Sequence, residues 1–183
     1  MDEKVKRMIE ELHFHGQGES YSDKGRRNPI RDDTGLALAA ITATAPDGAC
    51  VEIGTAYGLS MLWLYSGDPT RKYFTCEFDR PTAVAAKDNF HRAGIEVEVH
   101  TDTDKLLDGW DGPIAVLFLD HEKRLYLPHY LKALPYLVPG AVVVADNVLD
   151  RAEECAPFVN EVQKKAKSCV TLPTECGLLI ARF

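Results

Sequence analysis

One stretch, Ala49 to Leu64 (ACVEIGTAYGLSMLWL), limits the folds open to this chain more than any other. Its apolar run Cys50-Val51-Glu52-Ile53 lies between Gly48 and Gly54, turns through Gly54-Thr55-Ala56-Tyr57-Gly58, and continues as a helix-like run from Leu59 to Tyr65. A strand, a glycine turn and a helix in that order aim backbone N–H groups and a helix N-terminus at a ligand. The plainer alternative is a strand-to-helix turn with no ligand at all.

The identity of that ligand follows from what the turn lacks. A dinucleotide loop wants G-x-G-x-x-G, the middle glycine letting backbone touch pyrophosphate. Here the middle position is Ala56, and only Gly54 and Gly58 remain. Glu52, two residues before the turn, repels a pyrophosphate but suits a cationic amine. Unit charges about 4 Å apart at an effective dielectric near 20 interact by roughly 4 kcal/mol, so the sign matters. S-adenosylmethionine carries an ammonium and a sulfonium and no phosphate, and the loop matches that molecule better than NAD.

At 183 residues the chain is expected to bury a sizeable core as one domain. A net charge of -7 argues against a nucleic-acid partner, which needs a basic face. No apolar run approaches the ~20 residues of a membrane span. The start, MDEKVKRMIEEL, is too charged for a secretory signal. The five cysteines, Cys50, Cys76, Cys155, Cys169 and Cys176, are odd in number and lack metal-type spacing, which fits a reducing, cytoplasmic setting.

Residues 2–14 read as a helix through Val5, Met8, Ile9 and Leu12, and His15 to Arg31 as a polar, glycine-rich mobile loop. Asp32 or Asp33 can cap a helix reaching about Ala45. This divides the chain into an N-terminal helix and loop, 1–31, and a ligand-binding domain, 32–183. Strands are expected at 49–53, 72–77, 95–100, 113–119 and 140–145, with helices at 59–66, 80–93, 103–109, 123–136 and 152–167. The continuous apolar runs Ile114–Leu119 and Ala141–Ala145 are those of strands buried on both faces, so the sheet is α/β, mostly parallel, with helices on both sides. The closing runs 168–172 and 177–182 lie so close that they must pair as a hairpin, adding an antiparallel strand.

Ligands of such sheets bind beyond the carboxyl ends of the strands. Those ends read Glu52-Ile53-Gly54, Cys76-Glu77, Thr101-Asp102-Thr103, Asp120-His121 and Asp146-Asn147, with an acid at or beside each one. Glu77 stands about the ~20 residues past Gly54 expected of a ribose-binding carboxylate; otherwise it is a solvated strand end. Asp120, Asp146 and Asn147 offer the all-oxygen ligands that Mg²⁺ or another hard divalent cation wants; alternatively Asp146 and Asn147 cap the next helix. Lys123, three residues past Asp120, is either a general base in a partly dry site or a surface lysine in a first helical turn.

The segments VEIGTAYGLS, YFTCEFD, LFLDHEKRLYLPHYLKALPYLVPGAVVVADNVL and TLPTECGLLIARF together resemble the S-adenosylmethionine-dependent O-methyltransferases of the catechol O-methyltransferase type, from about Pro29 to Phe183. FLDHEKRLYLP and ADNV are the most specific part; the glycine turn alone is shared by many methyltransferases. The resemblance implies a Rossmann-like class I methyltransferase fold, a seven-stranded sheet whose last strand is antiparallel. It implies that Glu52, Gly54, Tyr57, Gly58 and Ser60 line the methionine end of the donor, with Ser60 on its carboxylate. Glu77 would hold the ribose, Phe78 and His121 would flank the adenine, and Thr103 would meet the adenine edge. Asp120, also close to the donor, would carry Mg²⁺ with Asp146 and Asn147, and Lys123 would be the base. Three departures stand out: Glu122 replaces the family's tryptophan between histidine and lysine, 148–170 supplies no obvious hydrophobic gate and no match for the family's second substrate-binding carboxylate, and the N-terminal portion matches poorly. Glu122 and the basic loop Lys24-Gly25-Arg26-Arg27 hint at a charged acceptor, although a plain solvated connection explains that loop as well.

The implied reaction is metal-assisted transfer of a methyl group to a hydroxyl of a small catechol-like acceptor, by a monomer or homodimer. The competing classes are a non-catalytic protein that keeps the donor pocket, an NAD-type oxidoreductase, against which Ala56 and Glu52 speak, and a methyltransferase of nucleic acid, against which the acidic balance speaks.

Overall fold

A computed structural model describes residues 1–18 and 30–183, with side chains for 1–14 and 30–183. The basic loop at 24–27 lies outside the described residues.

Seven strands form one sheet in the order β3-β2-β1-β4-β5-β7-β6. They are β1 (Ala49–Ile53), β2 (Tyr73–Cys76), β3 (Glu98–His100), β4 (Ile114–Leu119), β5 (Leu137–Ala145), β6 (Ser168–Leu172) and β7 (Leu178–Arg182). Strands β1 to β5 pair in parallel, and β7 runs antiparallel to both β5 and β6, as the hairpin reading requires. The central β1 and β4 are buried at every position, which is why their sequences run apolar without alternation.

Helices cover both faces. On one side lie α1 (Glu3–Gly18), α2 (Asp32–Thr44), α3 (Leu59–Gly67) and α4 (Arg80–Ala93). Their core includes Val5, Met8, Leu38, Met61, Phe90, Val116 and Phe118. On the other side lie α5 (Thr103–Asp108), α6 (Tyr126–Ala133) and α7 (Ala152–Lys165), packed through Leu107, Tyr126, Tyr130, Phe158 and Leu117.

Differences from the sequence expectation have local causes. Helix α1 runs four residues further than the apolar pattern, to Gly18, so 15–18 are helical rather than loop. Neither Asp32 nor Asp33 is the N-cap of α2; Arg31 occupies that position with extended backbone. Strand β3 is shorter than expected because α4 closes on left-handed Gly94, and the Ile95 N–H is used to reach Phe90 O. The helix expected at 123–136 is split into a 3₁₀ turn (Lys123–Leu125), α6, and a second 3₁₀ turn (Leu134–Tyr136) containing Pro135, which has no N–H to continue an α-helix. The first break leaves Lys123 on a tight turn directly beyond β4 rather than inside a helix.

Candidate active site

The parallel register sets the site. Ile53 pairs with Cys76 on one side and Leu119 on the other, and Leu119 pairs with Ala145. The residues that follow, Gly54, Glu77, Asp120 and Asp146, therefore emerge side by side at one edge of the sheet. Backbone bonds hold them there: Gly54 N to Cys76 O at 2.9 Å, Asp120 N to Ile53 O at 2.9 Å, and Asp146 N to Leu119 O at 3.1 Å. Gly54 has φ +104°, and a Cβ on it would overlap the carbonyl of Asp120. The first turn can close against the β4 loop only because that residue is glycine.

Glu52 is fully buried, and its carboxylate sits inside a cage of hydroxyls. Ser60 Oγ donates to it at 2.5 Å, Thr75 Oγ1 at 2.6 Å and Thr55 Oγ1 at 3.2 Å. The sequence expectation set this carboxylate against a ligand's amine; the structure instead encloses it in the protein, and its described polar contacts are all internal. Burial pushes its pKa up to about 7, against the pull of the three hydroxyls. Ser60, expected on a carboxylate, has its one hydrogen committed to Glu52 and offers outward only its oxygen.

The folded value of Glu52 lies above the ordinary 4.5, so the native state keeps a proton that the unfolded chain has released. Stability attributable to this group therefore falls as pH rises from about 4.5 to about 7, by on the order of 3 kcal/mol. Glu52→Gln removes that loss. The melting temperature of the variant relative to wild type is expected to rise between pH 5 and pH 8. A difference that does not change with pH would show that the buried carboxyl is not the titrating group.

Glu77 is nearly buried; its two oxygens accept the backbone N–H groups of Ala56 and Asp79, each at 3.0 Å, tying the glycine turn to the end of β2. Phe78 beside it is 86% exposed, a bare apolar ring at the rim of the site. Tyr57 is partly exposed at the turn, and left-handed Gly58 caps α3, where a Cβ would overlap the Phe90 ring. Thr103 opens α5, its hydroxyl directed to Cys76 Sγ at 3.2 Å.

The acid pair lies next to these residues. Lys123 Nζ is 2.9 Å from Asp120 Oδ1 and 5.1 Å from the centre of the Tyr126 ring, with only 14% of its side chain exposed. Asp146 is buried, and its Oδ1 has no hydrogen-bond partner among the described residues. Burial first, then the neighbouring Asp120, pushes the Asp146 carboxyl up to about 7; burial also raises Asp120, against the pull of Lys123. Asn147 is left-handed, φ +65°, and its Nδ2 faces Asp150 Oδ2 at 3.5 Å, which turns its carbonyl oxygen the other way. The helix-capping alternative is removed, because α7 has Arg151 as its N-cap, four residues beyond Asn147. Among the described residues no three His, Cys, Asp or Glu side chains gather as a metal site, so a cation here would rest on two carboxylates and the Asn147 amide.

Several residues of this region escaped the sequence reading. The segment after Asn147 is zipped to the β6–β7 turn, with Val148 N to Gly177 O at 3.1 Å and Leu149 N to Cys176 O at 3.0 Å. That pairing sets Leu149 against Gly177 and leaves it half exposed, in the stretch where the sequence shows no hydrophobic gate. Glu122, expected to add negative charge, is paired with Arg124. A cavity of about 950 Å³ opens elsewhere, beside β3 and the strands' N-terminal ends, lined by Lys72, Phe74, Val99 and Trp110 among others. None of the predicted site residues lines it.

Known proteins share this fold. A family model described as "Methyltransferase domain" matches residues 51–148, more than half of the chain. A catechol O-methyltransferase of Niastella koreensis is 33% identical over 107 residues, covering 54% of this chain and 48% of its own. One from Mycobacterium tuberculosis is 35% identical over 104 residues, covering 54% and 47%. The chain thus spans about half the length of the curated relatives it matches. A solved O-methyltransferase of Bacillus cereus, in complex with SAH, superposes with a TM-score of 0.76 at 20% identity, covering 100% of this chain and 91% of its own. An SAH-bound methyltransferase of Podospora anserina gives 0.77 at 17%, covering 100% and 88%. These last two establish the Rossmann-like class I fold. With more than half of its length matched by the family model, the chain belongs to the methyltransferase domain family, and the resemblance to the catechol O-methyltransferase type is borne out.

Proposed function

We propose that this protein transfers a methyl group from S-adenosylmethionine to one hydroxyl of a small catechol-like acceptor, assisted by a divalent cation. One observation supports the metal part of the reading: Asp146 Oδ1, buried and without a hydrogen-bond partner among the described residues, at a strand end adjoining that of a second, partly buried carboxylate, Asp120. Two mutually repelling acids and an amide oxygen are a donor set that a hard cation neutralises. The relatives named catechol O-methyltransferases support the acceptor class.

In this reading Asp120, Asp146 and Asn147 would hold the cation, which supplies Lewis-acid polarisation of vicinal oxygens. Lys123 leaves Asp120 and loses one proton to solvent, and the resulting neutral amine takes the proton of the acceptor hydroxyl. The donor would supply a methyl on sulfonium; the acceptor oxygen would form the O–C bond in line as the C–S bond breaks and its electron pair passes to the neutral thioether, with positioning accounting for much of the rate. Gly54, Tyr57, Gly58 and Ser60 line the methionine end. Glu77 receives the ribose with lone pairs left over from its two backbone bonds, and Phe78, Thr103 and His121 surround the adenine. Glu52 serves from behind, aiming Ser60 and Thr55. When Glu52 holds a proton it can donate to Ser60 Oγ, and the Ser60 hydrogen is then free to turn toward a ligand carboxylate. Leu149 walls the acceptor side. Residues 32–183 constitute the donor-binding domain, with α1 clamped to it.

The test is incubation with S-adenosylmethionine and a panel of catechols, with and without a chelator, followed by mass spectrometry. Mono-methylated product that disappears with chelator is expected. Tight binding of the demethylated donor with no methylated product from any acceptor would point to a non-catalytic protein.

A further inference from the structure

Beyond the strand ends, the side chain of His121 reaches across to α6. Its Nε2 lies 2.8 Å from Nδ1 of His129, one turn into α6, and the two rings stack with centroids 4.8 Å apart and planes 23° from parallel. Tyr126 packs against the same ring at 5.0 Å. His129 is itself buried, and its Nε2 is 3.8 Å from Asp104 Oδ1 on α5. Lys132, one turn further along α6, reaches both Asp104 and Asp108 at 2.7 Å and so straps α6 to α5. The chain of contacts runs from His121 through His129 to an ion-paired surface cluster. It also joins the helix carrying Thr103 to the loop carrying His121.

At 2.8 Å the two facing nitrogens share one hydrogen. The Asp104 carboxylate favours a proton on His129 Nε2. That leaves His129 Nδ1 as acceptor and His121 Nε2–H as donor. A buried polar pair of this kind fixes ring orientation, because any rotation of His121 about χ2 strands a buried N–H.

We infer that His129 is a positioning residue for the donor's adenine pocket, locking the plane of the His121 ring through the 2.8 Å bond between the two imidazoles. The inference rests on the proposed role of His121 beside the adenine. A structural histidine would merely fill space between α5 and α6. A positioning residue should instead affect donor affinity and leave the chemical step alone.

Isothermal titration with S-adenosylhomocysteine tests this in three variants. His129→Leu removes the nitrogen. His129→Asn keeps a polar atom near the place of Nδ1, and His129→Gln moves it out toward the place of Nε2. Leu and Gln are expected to weaken binding by about 5- to 20-fold and Asn by less than about threefold, with acceptor KM and kcat at saturating donor unchanged in all of them. If His129→Leu fails to fold, the Asn–Gln contrast still decides. Equal affinities for Asn and Gln, or a folded Leu variant that binds like wild type, would overturn the positioning role alone. Wild-type protein that binds no S-adenosylhomocysteine would remove the donor reading and this inference with it.

Discussion

Lys123→Met is expected to lower methyl transfer by about 10²- to 10⁴-fold, the range of a lost general base, while S-adenosylhomocysteine binding stays within about twofold of wild type. The geometry makes the loss specific. Lys123 sits on a 3₁₀ turn two residues past the Asp120-His121 strand end, so its Cα is fixed by the sheet. Its ammonium is mostly buried between Asp120 Oδ1 and the face of Tyr126, close to where an acceptor oxygen must lie in the proposed reading. Lys123→Arg separates two roles. Guanidinium keeps the pairing with Asp120 and the positive charge, but it does not release a proton in proteins. Loss of rate in both variants assigns Lys123 to proton transfer. Activity restored by arginine would reduce it to an electrostatic partner of Asp120, and full activity in the methionine variant would place the base elsewhere.

How far the sequence discloses such a site depends on which interactions are local. Strand ends are local: the apolar runs of β4 and β5 stop at Asp120 and Asp146, and a mostly parallel sheet must bring those ends to one edge. The hairpin follows from the shortness of the link between 172 and 178. The hydroxyl cage of Glu52 is not local. Thr75 reaches it only because Glu52 pairs with Thr75 in the β1–β2 register, and a shift of one residue would turn that side chain to the opposite face. The sequence sets Glu52 against an amine, and nothing adjacent to it declares that three hydroxyls will surround it. His129 was hidden for a similar reason. Its spacing from His121 crosses the break between the 3₁₀ turn and α6, and no uniform helical period connects the two rings. Leu149 is set in place by the backbone pairing of its loop with Cys176 and Gly177, a contact between segments about thirty residues apart.

Magnesium is expected to raise the melting temperature of the wild-type protein, and to do so more at pH 8 than at pH 6. The ordinary value for an aspartate is 3.8, and burial together with Asp120 carries Asp146 to about 7. Across that interval the native state holds a proton that the unfolded chain has lost, so stability declines as pH rises. Above about 7 the native protein must carry one buried and one partly buried carboxylate that repel each other, with Asp150 adding to the repulsion and Lys123 opposing it. A cation at this position removes the repulsion and competes with the proton, so its effect is largest where the proton is gone. At a concentration of about 100 times the dissociation constant, binding adds roughly 2.7 kcal/mol, or about 5–10 °C for a chain of this size. Asp146→Asn takes away one charge and the orphaned anionic oxygen together. The variant should melt higher than metal-free wild type at pH 8, because an uncompensated buried charge is gone, and it should lose the magnesium response and the chelator-sensitive activity. Asp120→Asn should behave differently. It strips Lys123 of its 2.9 Å partner, leaving a mostly buried ammonium unpaired, so this variant is expected to melt lower than wild type even as it too loses the magnesium response. An Asp146→Asn protein with the wild-type magnesium shift would place any cation away from these strand ends, and the two carboxylates would then have to be explained by the Lys123 pairing alone.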